Sequence, residues 1–87
     1  MQLIAHVEIV KQGRRAFIRV TRGQLALHKL YDGIGEAAAE AERLGFVDES
    51  FARTMPKYGI SFRGNSRDID PERLLRIGFK PIKPRLM

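Results

Sequence analysis

Apolar and polar positions alternate through most of the first thirty residues. Leu3, Ala5, Val7 and Ile9 form an unbroken apolar set against Ile4, His6, Glu8 and Val10. This is the period-two pattern of a strand with its odd positions toward a core. Gln12-Gly13-Arg14 interrupts the run, and Gly13 can take the positive φ that a tight hairpin needs. Ala16, Ile18 and Val20 then form an apolar set opposite Arg15, Phe17, Arg19 and Thr21. Arg22-Gly23 marks a second turn, after which Leu25, Leu27 and Tyr31 alternate with Ala26, His28 and Leu30. Connections this short favour antiparallel neighbours, so the pattern predicts a three-stranded meander.

The period then changes. Ile34, Ala37, Ala38, Ala41 and Leu44 form one stripe at helical spacing. Alanine favours the helix, and its small side chain lets the inner face lie close to a sheet. Asp32 precedes the segment as a candidate cap, Glu36 complements the dipole in the first turn, and Gly45 can end the helix with Phe46 folding back on it. Glu36, Glu40 and Arg43 are left for solvent, or for a basic partner.

The second half predicts smaller elements. Asp48 can cap a short helix with Phe51, Ala52 and Met55 inward and Pro56 at its end. Tyr58, Ile60 and Phe62 alternate with Gly59, Ser61 and Arg63, the pattern of a further strand, and Gly64-Asn65-Ser66 reads as a loop. Asp70-Pro71-Glu72 starts a helix carrying Leu74, Leu75 and Ile77, which Gly78 ends. Arg67, Arg73 and Arg76 are expected to lie near one another on this segment. Arg43-Leu44-Gly45-Phe46 and Arg76-Ile77-Gly78-Phe79 carry the same signature without matching flanks. Two helices with one stop signal explain this better than a repeat. The fold class is therefore α+β: the antiparallel meander packed by one main helix, then short helices, a further strand and an extended basic C-terminal tail. One domain covers 1–79, and the tail, 80–87, alternates proline with Lys80, Lys83 and Arg85.

At 87 residues the chain has room for one modest core. No apolar run approaches the length of a membrane span, so no membrane partner is expected. The first residues lack a charged n-region and a long apolar stretch, so no signal peptide is expected. With no cysteine there is no disulfide or thiolate chemistry, which fits a cytoplasmic location.

The formal net charge of +6 is segregated. Residues 1–31 carry Lys11, Arg14, Arg15, Arg19, Arg22 and Lys29 against Glu8 alone; residues 32–50 carry six carboxylates against Arg43; residues 51–87 are basic again. Arginine outnumbers lysine, and its planar fork suits phosphate and carboxylate. If Ala16, Ile18 and Val20 point inward, Arg15, Phe17 and Arg19 share the outer face. Cations there neutralise phosphates while a ring stacks on a base or packs against a sugar. The competing arrangement covers Phe17 with another element and leaves the arginines as its rim.

Catalysis is the weaker reading. His6 and His28 are the only side chains whose unperturbed forms titrate near neutrality, and a pair across a sheet could act as acid and base. Asp68-Ile69-Asp70 supplies too few carboxylates for a hard metal, and Asp70 already has a capping role. No phosphate-binding loop, dinucleotide fingerprint or nucleophile elbow occurs. No enzyme activity, cofactor or metal is expected.

Three strands followed by the Glu36-Ala37-Ala38-Ala39-Glu40-Ala41 helix, with an Arg/Phe outer face, is similar in element order to the DNA-binding modules of arm-type integrase N-termini and AP2-like domains. The tryptophan common in AP2 domains is absent. The resemblance covers residues 2–45 and implies a sheet set in a DNA groove with a helix behind it. The expected function is a small basic nucleic-acid-binding module, DNA ahead of RNA, regulatory or accessory and non-catalytic. Arg14, Arg15, Phe17, Arg19 and Arg22 form the expected surface, with Lys80, Lys83 and Arg85 adding phosphate contacts. The alternative is a non-enzymatic protein-binding module, an inhibitor or adaptor of a larger complex.

Overall fold

A computed structural model of the chain describes residues 5–58, 62–66 and 70–82. Its first half is the meander: β1 (Ala5–Gln12), β2 (Arg15–Arg22) and β3 (Leu25–Tyr31). Gln12 stands opposite Arg15 and Arg22 opposite Leu25, so Gly13-Arg14 and Gly23-Gln24 are two-residue turns. Gly13 and Gly23 have φ of 62° and 61°, as the first central position of a hairpin turn matched to the strand twist requires. Two further strands, β4 (Phe62–Ser66) and β5 (Lys80–Pro81), complete an antiparallel sheet of order β4-β1-β2-β3-β5.

One face of this sheet is covered. Ala5, Val7, Ile9, Ala16, Ile18, Val20 and Leu27 are buried there, and each of the larger ones contributes about 1.5–3 kcal/mol through removal from water. Helix α1 (Ile34–Arg43) lies across β2, with β1 and β3 on either side. Ala37, Ala38 and Ala41 are its buried residues, as the helical stripe predicts. Helix α2 (Glu49–Tyr58) packs on α1 and buries Ala52 and Met55. The short α3 (Pro71–Arg76) adds Leu74.

The two Gly-Phe signatures end their helices in the same way. After α1, Phe46 N–H donates to Ala41 O at 2.7 Å and Gly45 N–H to Glu42 O at 2.9 Å; after α3, Phe79 N–H donates to Leu74 O at 2.9 Å and Gly78 N–H to Leu75 O at 3.3 Å. Both are Schellman motifs, with Gly45 and Gly78 at positive φ. Each returns a phenylalanine to the core. From the sheet, Lys29 Nζ reaches the end of α3 and donates to Ile77 O at 2.9 Å, placing a cation at the negative pole of that helix. The same ammonium lies 5.2 Å from the centroid of the Tyr31 ring.

Several local expectations need correction. The N-cap of α1 is Gly33, and no side chain caps it, so Asp32 lies one residue too early. Asp48 does cap α2, accepting from Phe51 N–H at 2.8 Å. Helix α2 continues through Pro56 to Tyr58. Only the hydrogen bond to the carbonyl one turn earlier is lost this close to the helix end. Phe51 is exposed rather than inward. The later strand falls at Phe62–Ser66, using the Gly64-Asn65-Ser66 segment read as a loop. It pairs with β1 from Ile9↔Phe62 to Ala5↔Ser66; the open edge of β1 fixes its position, not side-chain alternation. Lys80 and Pro81, read as the start of the tail, are β5, and Ile82 N–H donates to Ala26 O at 2.9 Å. Leu3, Ile4, Gly59, Ile60, Ser61, Arg67, Asp68, Ile69, Lys83 and Arg85 lie outside the described residues.

Candidate functional site

The face of the sheet turned away from the helices carries the even positions of β1 and β3 and the odd positions of β2. The register arranges them in rows. Val10, Phe17 and Leu30 lie side by side across three strands. Arg63, Glu8, Arg19, His28 and Lys80 form the next register row, across all five. Phe17 is half-buried and belongs to this face, while Leu30 is 48% exposed. An apolar row thus crosses the open face beside the charged central row, with Arg15 and Arg19 on either side of Phe17 along β2.

Phe17, Leu30 and Ile82 form the apolar lining of a groove of about 350 Å³, to which Gln12, Arg19 and His28 add polar groups. His28 Nδ1 is buried and has no hydrogen-bond partner among the described residues. A second concavity of about 330 Å³ shares His28 and Leu30 and continues to Lys80 and Gly78 over the β3–β5 margin. The two make one shallow track across the sheet. A larger hollow of about 590 Å³ beside α2 is lined by Ser50, Arg53, Thr54 and Lys57 alone. Among the described residues no aromatic side chain lines it, and Arg53 is paired there with Glu49.

Arg19 is not a free counterion. Its Nε and Nη2 donate to the same oxygen of Glu8, at 3.2 and 2.6 Å. The carboxylate is almost covered, with 8% of its side chain exposed against 41% for Arg19. His6 Nε2 is 3.8 Å from that oxygen. The pair cancels much of the Arg19 charge but fixes the plane of the guanidinium, whose remaining N–H donors can point outward.

The other expected residues divide clearly. Arg14, in the first turn, and Arg15, at the start of β2, are exposed and have no ion pair among the described residues. Arg22 lies at the opposite end of β2, roughly 23 Å from Arg15 at strand rise. It shares its parity with Ala16, Ile18 and Val20, and it has an interaction of its own. The structure therefore brings Arg14, Arg15, Phe17 and Arg19 together and sets Arg22 apart. Lys80 is exposed opposite His28.

Leu30, His28, Gln12 and Ile82 were not singled out as binding residues by the pattern. The signal for the first three was present, because a two-residue turn fixes which residues oppose each other. Ile82 joins them only through the long-range docking of β5. Among the described residues no group of three or more His, Asp or Glu side chains is placed to hold a metal ion, and no helix is long and apolar enough to cross a membrane. Comparison with protein-family models, with curated proteins and with solved structures finds no match.

Proposed function

We propose that this protein is a small, non-catalytic nucleic-acid-binding module that uses the open face of its sheet, with DNA as its target and a regulatory or accessory role in the cytoplasm. One observation carries the reading: Phe17 stands on the uncovered face between Arg15 and Arg19 on the same strand. A flat ring between an exposed arginine and a guanidinium held in plane by Glu8 suits a polyanion that also presents stacked or stackable bases.

The charge layout supports this. Arg14, Arg15 and Lys80 surround the open face, while the solvent side of α1, with Glu36 and Glu42, lies on the far side of the sheet. The field of such a molecule orients it toward phosphate before contact. The preference for DNA rests on the similarity in element order to sheet-in-groove DNA modules.

The test is a titration of labelled DNA against the full chain at several salt concentrations. Affinity is expected to fall linearly with salt on logarithmic axes. Arg14→Ala and Arg15→Ala are each expected to flatten that slope by roughly 0.7–0.9 per lost phosphate contact. Arg22→Ala should leave it unchanged. An absence of binding at low salt, or a slope indifferent to Arg14 and Arg15, removes this function.

A further inference from the structure

Phosphate attraction alone does not say which form of nucleic acid the face accepts. The track does. We infer that the protein engages its nucleic acid as an unpaired strand, with one base seated in the groove against Phe17. This rests on the proposed binding function and narrows it.

A sheet set in the major groove of a duplex reads base edges with donors and acceptors carried at its middle. Here the central row does carry polar groups, Glu8, Arg19, His28 and Lys80, but the row beside it that holds the ring, Val10, Phe17 and Leu30, offers neither. Arg19, the nearest bidentate donor, already directs two N–H groups to Glu8. An apolar row is poorly matched to polar base edges still held in a duplex. The flat face of an unstacked base is a better match, since base–aromatic stacking is indifferent to sequence and strong in single strands.

The groove has the shape and chemistry for that occupant. Its floor is apolar through Phe17, Leu30 and Ile82, while Gln12, Arg19 and His28 supply hydrogen-bonding groups at its rim. An unpaired base brings the same combination: apolar faces and a polar edge freed from its partner. Leu30, with 48% of its surface in water, gains cover from such a base. The backbone has a route as well. Arg14 and Arg15 stand at one end of the track, and Lys80 stands at the other, reached through the second concavity. Charge complementarity therefore selects a polyanion, and the apolar floor selects one with its bases exposed.

The test compares one labelled DNA oligonucleotide in three forms at matched salt: single-stranded, annealed to its complement, and single-stranded with a run of abasic sites. The intact single strand is expected to bind at least tenfold more tightly than either other form. Phe17→Leu keeps apolar bulk and removes the flat ring. It should weaken single-strand binding by roughly 5- to 150-fold while leaving duplex affinity and the salt slope unchanged. Phe17→Trp should preserve or strengthen single-strand binding. Circular dichroism of each variant confirms that the fold is kept.

Equal or tighter binding of the duplex overturns the inference and leaves the binding function standing. So does an abasic strand that binds as well as the intact one. If no form binds at low salt, and the groove variants instead disrupt capture of a protein, both the inference and the binding function fall.

Discussion

Glu8 and Arg19 oppose each other across β1 and β2, and one carboxylate oxygen takes both hydrogen bonds from the guanidinium. The carboxylate is nearly buried on a face that no helix covers, so Arg19 is its lid. Removing it takes two hydrogen bonds from a nearly buried charge, which His6 Nε2 at 3.8 Å offsets only in part. Arg19→Ala is expected to cost about 1–2 kcal/mol in urea unfolding, less than a fully buried pair because the guanidinium is partly in water. Glu8→Gln should cost less, and combining it with Arg19→Ala should recover part of the loss. If Arg19→Ala matches wild type in midpoint and slope, the pair is a surface ornament and Arg19 is free for ligand.

Tyr31 makes a pH prediction. Its hydroxyl is buried without a hydrogen-bond partner among the described residues. Burial first, then the nearby Glu40 carboxylate, raises its pKa above the ordinary value of 10.0. The folded state thus favours the neutral phenol more than the unfolded state does. That stabilisation is complete below pH 10 and is lost as the pH climbs through the raised value. In alkaline melts the wild type should lose more stability above pH 10 than Tyr31→Phe. At neutral pH the substitution should be neutral or stabilising by about 1 kcal/mol, because it removes an unsatisfied polar group. Parallel alkaline profiles for the two proteins would show that the hydroxyl is solvated.

The paired stop signals can be separated by alanine. Gly45 has φ of 81° with open space around its Cα, whereas Gly78 has φ of 111° and an added Cβ would meet Lys29 Cε at 3.4 Å. Gly45→Ala should cost about 1–2 kcal/mol from left-handed backbone alone. Gly78→Ala should cost more, since its φ lies further from any region open to L-residues and the Lys29 bond to Ile77 is crowded. Equal losses in chemical denaturation would contradict this order.

Two aspartates make a matched control. Asp48 accepts a hydrogen bond from Phe51 N–H and Asp32 caps nothing. Asp48→Ala should lower stability by about 1 kcal/mol, within the usual range for a lost N-cap. Asp32→Ala should change it by less than about 0.5 kcal/mol, as for most surface substitutions. The reverse order in thermal melts would mean that the two helix starts are wrongly assigned.

The first half of the fold was legible because its signals are local. Alternation, Gly13 and Gly23 together define two hairpins, and the alanine stripe defines the helix laid across them. Even the Glu8–Arg19 pair was within reach, since both residues lie equally far from the Gly13-Arg14 turn. The second half depends on distant partners. Phe62–Ser66 is a strand because β1 offers an open edge, although Gly64 and Asn65 are poor strand formers. Pro56 reads as a stop, yet α2 has packed against α1 before it is reached. The site follows the same division. Arg15, Phe17 and Arg19 come from a single alternating strand, while Ile82 reaches the groove only after the chain has passed through three helices.

The β5 margin has a consequence for how the molecule behaves in company. Sheets with long bare rims recruit further strands, from other copies or from misfolded neighbours. Here the outermost strand is two residues long, laid over Leu27 and His28, and one of the two is Pro81, which has no amide hydrogen to give. A newcomer arriving over Leu27 and His28 would find one donor of the ladder missing. Ribbon growth is thereby disfavoured at that stretch of the margin, while the broad surface bearing Phe17 stays uncovered by the helices.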